Sequence, residues 1–180
     1  MDHPRIETER LLLRYPEEQD FEPLAEMMQD EEVARFIGGV QDPAITWRAF
    51  CSLLGHWQLR GYGFFSVVDK ASGEWLGRIG PWYPHLWPQP EVGWTIKRAA
   101  WGKGYAPEAA AACLDFVFDT LDWPSVIHLI DQKNTPSQAV ARKLGSTDSG
   151  QEVEVPGFGI KVNVWGQTAD EWRAKRATLR

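Results

Sequence analysis

A chain of 180 residues, 43% hydrophobic and 24% charged, holds enough apolar material for one packed domain and too little for two of ordinary size. Its formal net charge of −6 argues against the basic face of a nucleic-acid-binding surface and suits a basic acceptor. No run approaches the ~18 consecutive apolar residues of a membrane span, and the opening MDHPRIETER has no apolar signal segment; the expectation is a soluble cytoplasmic protein with residues 1–180 as a single domain and neither a membrane nor a nucleic-acid partner.

In chain order, residues 10–15 (RLLLRY) are short, apolar and stopped by Pro16, which suits a first strand. Asp20 is placed to cap a helix whose first turn holds Pro23 and whose apolar face repeats through Leu24, Met27 and Met28. A second short helix over residues 31–36 ends at Gly38 and Gly39. After Asp42 and Pro43, the residues Trp47, Phe50, Leu54 and Trp57 recur every three or four positions, the mark of an amphipathic helix ending near Gly61. His56 lies beside that stripe as a half-buried helix residue.

Residues 62–69 (YGFFSVVD) and 74–82 (EWLGRIGPW) flank KASG and read as a hairpin. Residues 83–90 carry three prolines and His85, too proline-rich for a central strand, and form a loop suited to lining a pocket. Residues 91–97 (EVGWTIK) are the fourth strand, with Val92, Trp94 and Ile96 on one face and Glu91, Gly93 and Thr95 on the other. An alanine-rich helix follows, with Ala110, Leu114, Val117, Phe118 and Leu121 as its core stripe.

Residues 125–131 (SVIHLID) are a buried fifth strand joined by a right-handed parallel crossover, with His128 as a satisfied strand residue. Residues 134–145 (NTPSQAVARKLG) form a short helix stopped by Gly145. Residues 147–166 alternate around Pro156, Gly157 and Gly159 as a closing hairpin, and residues 168–176 are a terminal helix. The order β, helices, β, β, β, α, β, α, β, β makes one mixed α/β layer set.

Two further features bear on composition. Cys51 and Cys113 each sit in an apolar helical pattern with no zinc spacing, so both are expected as buried thiols and no metal is expected. Of ten tryptophans, Trp75, Trp82, Trp87, Trp94 and Trp101 cluster before the glycine turn described next. They are either core and edge packing or the lining of an acceptor pocket.

That turn, WGKGYA (Trp101, Gly102, Lys103, Gly104, Tyr105, Ala106), joins the fourth strand to its helix. Its glycines let the backbone turn sharply and approach a ligand, so that the unpaired amides opening the helix face an anion such as a pyrophosphate. A P-loop would need Ser or Thr after the lysine, where Gly104 stands. A dinucleotide fingerprint would need a third glycine where Pro107 stands.

Four stretches, ETERLLLR (residues 7–14), PEVGWTIK (90–97), WGKGYAPEA (101–109) and NTPSQAVARKLG (134–145), together resemble the GNAT acetyltransferase superfamily, and within it the branch of the ribosomal-protein N-terminal acetyltransferases. The resemblance spans nearly the whole chain. It implies a mixed, mostly antiparallel sheet of six to seven strands, the fourth and fifth parallel and splayed, with helices on both faces. It implies acetyl-CoA as co-substrate, its pyrophosphate on the amides from Gly102 to Ala106, its pantetheine arm along the backbone of Trp94, Thr95 and Ile96, and Asn134 and Ser137 beside that arm. Trp101 stands where the wider superfamily has Gln or Arg and is similar to what this branch uses.

Acetyl transfer to an amine needs a polarised carbonyl, a neutral amine and a stabilised thiolate. An N-terminal amine, with an ordinary pKa of about 7.7 to 8, is easier to deprotonate than a lysine at about 10.4. Glu91 is the candidate general base, against the alternative of a solvated strand-end carboxylate; Glu152, Glu154 and His85 stand in reserve. The tyrosine acid of many superfamily members is replaced by Ala141, leaving Ser137 as either acid or helix cap. Glu108 reads as a first-turn residue that complements the helix dipole. Ser146 stands where the superfamily commonly has an aromatic residue.

The expected activity is an N-acetyltransferase acting on a primary amine, with a peptide or protein N-terminus favoured. A small-molecule amine acetyltransferase and a non-catalytic acyl-CoA-binding module are the alternatives. The tryptophans and the last hairpin offer a surface for a homodimer.

Overall fold

A computed structural model describes residues 3–178; the two residues at each end of the expected domain, and the start of MDHPRIETER with them, lie outside the described residues. Among the described residues eight strands form one sheet: β1 Ile6–Glu7, β2 Leu11–Arg14, β3 Phe65–Asp69, β4 Trp75–Trp82, β5 Glu91–Ile96, β6 Ser125–Ile130, β7 Thr147–Glu154 and β8 Lys161–Thr168. Their spatial order is β1-β2-β3-β4-β5-β6-β8-β7, antiparallel throughout except for β5 beside β6. The expected six to seven strands become eight because Ile6 and Glu7 pair with Leu13 and Leu12, a two-residue edge too short to show a periodicity.

The helices are α1 Phe21–Gln29, α2 Glu31–Ala34, α3 Pro43–Arg60, α4 Tyr105–Asp119, α5 Thr135–Leu144 and α6 Ala169–Ala177. One sheet face, through Leu11, Leu13, Phe65, Val67, Ile79 and Val92, packs on Ala109, Ala110, Cys113, Leu114 and Val117 of α4. Each large apolar side chain buried there contributes about 1.5–3 kcal/mol. A second cluster joins Leu24, Met27, Met28 and Val33 of α1 and α2 to Phe50 of α3 and Trp75 of β4.

Three local expectations are corrected. The buried face of α3 runs through Thr46, Phe50, Leu53, His56 and Trp57, not through Trp47, which is exposed, or Leu54, which packs at the margin of the second cluster. Cys51, on the outer side of that rotated face, is exposed, whereas Cys113 is buried and its thiol is pushed up by burial. Asp20 does not cap α1. Its carboxylate accepts from Arg14 Nη1 and Nη2 at 2.7 Å each, from the Glu17 amide at 2.8 Å and from Ser66 Oγ at 2.7 Å, a buried ion pair between sheet and helices that raises the Arg14 pKa.

The cap residues of the other helices act as their chemistry predicts. The Asp42 carboxylate accepts from the Ala44 amide with Pro43 in the first turn, and Gly61 closes α3 at φ 76°. Asn134 caps α5, and Thr168 with Glu171 forms a capping box on α6.

The feature that positions the site is the junction of β5 and β6. Their only register pair is Glu91 with Ile127, with the Ile127 amide on the Pro90 carbonyl at 2.8 Å; beyond it the two strands part into a wedge. Two side chains stitch its apex. From β5, Glu91 Oε1 accepts from the Leu129 amide at 3.2 Å. From β6, His128 Nδ1 donates to the Val92 carbonyl at 2.6 Å.

A carbonyl only accepts, so Nδ1 carries the His128 proton and Nε2 is left to accept from Ser146 Oγ at 2.9 Å. Ser146 Oγ in turn accepts from the Gln167 amide at 2.9 Å. His128 is thus the satisfied strand residue expected, and the Ser146 hydroxyl links it to the Gln167 side chain. Burial pushes the ring down to about 4, against the opposing pull of the Val92 carbonyl.

Candidate functional site

A cavity of about 500 Å³ passes through the wedge. On one side it meets Trp94, Asn134 and Ser137; on the other it opens between α1, α3, the 84–87 loop and the 155–160 loop. Glu91, 7% exposed, stands in its wall near the apex. Trp87 Nε1 donates to Glu91 Oε2 at 2.7 Å, so both carboxyl oxygens have a donor. Burial raises the carboxyl to about 7, outweighing the downward pull of the Leu129 amide and the Trp87 indole. A carboxyl balanced near neutrality is suited to proton transfer. Gly93 lets the Phe64 ring pack close beside the carboxyl, since a Cβ there would lie 3.0 Å from Phe64 Cζ and 3.6 Å from Glu91 Oε1.

At the far end of β5, the WGKGYA turn takes up the shape its glycines permit. Gly102 and Gly104 have φ of 72° and 79°, left-handed values costly for other residues. Trp101 Nε1 donates to the Ile96 carbonyl at 2.7 Å and folds the turn back on the strand. Arg10 holds the turn from the β1–β2 edge: its Nη1 donates to the Lys103 carbonyl at 2.9 Å, and its guanidinium lies 4.5 Å over the Tyr105 ring. Glu108 anchors Arg10, accepting from its backbone amide at 3.1 Å and its Nε at 2.7 Å, and also accepts from Thr8 Oγ1 at 2.5 Å. The first-turn acid therefore ties the chain's opening strands to α4.

Among the described residues, the amides of Gly102, Lys103, Gly104, Tyr105 and Ala106 donate to no protein acceptor. Five consecutive unspent donors at a helix N-terminus fit a pyrophosphate.

The expected site residues fall into two groups. Glu91, Trp94, Thr95, Asn134 and Ser137 line the wedge cavity. Trp101, Gly102, Lys103, Gly104, Tyr105 and Ala106 form the turn between β5 and α4 and are not part of the cavity lining. Ile96 turns its side chain into the core beside α4 and offers its carbonyl to Trp101. Asn134 Oδ1 accepts from the Ser137 amide at 3.2 Å, so Asn134 and not Ser137 is the cap of α5. Ser137 Oγ accepts from Trp94 Nε1 at 3.3 Å, leaving the hydroxyl proton unspent.

Of the reserve groups, His85 lines the outer mouth and is exposed, while Glu152 and Glu154 are exposed on β7, away from the cavity. The clustered tryptophans divide: Trp82, Trp87 and Trp94 line the cavity, Trp75 packs in the second core cluster, and Trp101 belongs to the turn. Arg78 of β4 also faces the cavity. Its only signal in the sequence is a single cation between apolar strand residues.

A mixed sheet whose two adjacent parallel strands open into a wedge, with a glycine turn presenting free helix amides between the first of them and α4, defines a GNAT-type acetyltransferase, a class that uses acetyl-CoA. The family model for the acetyltransferase (GNAT) domain matches residues 10–147, and the chain belongs to that family. The protein YkkB of Bacillus subtilis (strain 168) is 34% identical over 149 residues, covering 78% of this chain and 84% of its own. An uncharacterized N-acetyltransferase of Bacillus licheniformis, p20, is 27% identical over 146 residues, covering 79% and 82%. The crystal structure of an acetyltransferase from Agrobacterium tumefaciens str. C58 superposes with a TM-score of 0.83 at 31% identity, over 93% of this chain and 95% of that one. The enzyme is an acetyltransferase. Among its described residues no helix is long and apolar enough to cross a membrane.

Proposed function

We propose that this acetyltransferase moves an acetyl group to a primary amine, with the N-terminus of a peptide or protein as the favoured acceptor. The observation that carries the reading is Glu91: a buried carboxyl, raised to about 7, in the wall of a cavity that connects the wedge to the outer mouth. A cavity of about 500 Å³ that opens between the 84–87 and 155–160 loops has room for a peptide end.

Acetyl-CoA supplies the activated thioester. The amides from Gly102 to Ala106 hold its pyrophosphate, and the edge of β5 along Trp94, Thr95 and Ile96, unpaired with β6 beyond Glu91, receives its pantetheine arm, with Asn134 beside it. Glu91, as carboxylate, accepts the amine proton directly or through one water; an N-terminal amine titrating at about 7.7 to 8 places little demand on that base. Ser137 Oγ, oriented by Trp94, has a proton to give a departing thiolate. Ala141 is fully buried beneath Ile130 and Trp165 and has no acid to offer.

The test is the pH dependence of kcat/KM with an N-terminal peptide. Turnover should rise with pH through an apparent value near 7. Glu91→Gln should lower kcat and remove that limb, leaving the dissociation constant of acetyl-CoA unchanged. An unaltered profile in the variant would remove Glu91 from the mechanism.

A further inference from the structure

Arg78 lies on β4 opposite Thr95, on the same sheet face as Glu91 and exposed to the same cavity. It is a half-buried cation without a counter-charge. No ion pair or hydrogen bond of the Arg78 side chain is present among the described residues, and its Nε is buried with no partner. Its guanidinium rests 5.0 Å from the Phe64 ring. Desolvation alone, with no neighbouring carboxylate opposing it, pulls its pKa down to about 10, which still leaves it charged at neutral pH.

An acid that shares a cavity with it is already engaged. Asp20 shares a small cavity with Arg78, but its two oxygens already accept four hydrogen bonds from Arg14, Glu17 and Ser66. Glu91 is four residues along the neighbouring strand, about 13 Å at 3.3 Å per residue. The cavity therefore holds a cation with no paired acid, within a chain of net charge −6. Burying the Nε of a guanidinium without a partner is unfavourable, and an anion entering the cavity would relieve it.

We infer that the acceptor carries, besides its amine, a carboxylate that Arg78 receives through its planar fork. This rests on the amine-acetyltransferase reading above and narrows its substrate class to amines with an anionic end, either a free amino acid of sufficient length or a peptide with an acidic residue near its N-terminus. A guanidinium matches a carboxylate with two parallel N–H donors, and such charge-assisted bonds are worth about 1.5–3 kcal/mol, or about tenfold and more in kcat/KM.

The experiment compares matched acceptors by thiol release from acetyl-CoA: peptides with Glu or Gln as second residue, and ω-amino acids of increasing length against their amides. The wild-type enzyme should prefer the acid of each matched pair in at least one series by about tenfold, and the series in which it does so separates peptide from small-molecule acceptors. In Arg78→Met the ratio should fall to near one, with Arg78→Lys between. The melting temperature of Arg78→Met should equal or exceed that of the wild type, because an apolar side chain replaces a desolvated cation.

Equal use of acid and amide by the wild type, or a preference that survives in Arg78→Met, overturns the inference. So does failure of both variants to fold, since a cation held for a ligand is not required by the fold. Transfer to no acceptor of any kind sinks the transferase reading and this inference with it.

Discussion

Replacing Glu91 by Gln should change stability with a sign that depends on pH. In the fold, the carboxyl is displaced by burial from its ordinary 4.5 to about 7, and each pH unit between those values is worth roughly 1.4 kcal/mol. Neutral Glu91 therefore contributes fully below pH 4.5. That contribution is lost as pH rises through 7, about 3 kcal/mol in all. Gln is neutral throughout, but its amide can accept only one of the two bonds now made by Trp87 and Leu129, while its NH2 opposes the other donor, a pH-independent cost of about 1–2 kcal/mol.

The variant should thus be less stable than wild type by about 1–2 kcal/mol near pH 4.5 and more stable by a similar amount above pH 7, with the curves crossing between about pH 5 and 6. Urea unfolding of both proteins at intervals from pH 4.5 to 8 measures this. The difference between them is the informative quantity, because His128, held near 4, adds an opposite slope to both: its contribution is present above 6.5 and lost as pH falls through 4. A stability difference that stays constant across the range would refute the account of Glu91.

Three other substitutions have definite expected outcomes. Gly104→Ala places a side chain at φ 79° and should cost about 1 kcal/mol in stability, while calorimetric titration should show weaker binding of acetyl-CoA; an unchanged dissociation constant would argue against the turn as the pyrophosphate cradle. Ser137→Ala removes an acceptor from Trp94 at 3.3 Å, worth under about 1 kcal/mol, but should lower kcat at saturating substrates, and an intact kcat rejects its role as acid. Asp20→Asn leaves Arg14 with only the more distant Glu17 carboxylate at 3.8 Å and should cost about 3 kcal/mol, or about 6–12 °C in melting temperature for a domain of this size; a loss under about 1 kcal/mol would mean that the pair is not a structural link.

The legibility of these features in the sequence follows their range. Cap residues such as Asp42, Gly61, Asn134 and Gly145 act within a few positions, so the helices they bound were readable. Alternation in EVGWTIK placed Glu91 and Thr95 together on one face, and the glycines of WGKGYA marked the sharp turn that leaves its amides free. The rotated face of α3 was not readable, because its orientation depends on the sheet beneath it, which buries Thr46 and His56 in preference to Trp47.

Nor was the stitched wedge readable. His128 meets Val92 across 36 residues and Glu91 meets Leu129 across 38, and the buried Asp20 pairs with Ser66 across 46. Asp20 illustrates the general difficulty, since an acid just before a helix is equally suited to a cap and to an ion pair, and only the position of Arg14 and Ser66 decides between them. Arg78 had no partner to find in the sequence, and its lack of one is the informative fact.

The most direct test of the central claim is the formation of product from acetyl-CoA and a peptide with a free N-terminus, with thiol release and amide formation followed together. The account predicts one acetyl amide for each thiol released, no transfer to the same peptide with its N-terminus blocked, and a rate that falls in Glu91→Gln. Tight binding of acetyl-CoA with no transfer to any free amine would contradict it and leave the wedge as a site that binds without catalysis.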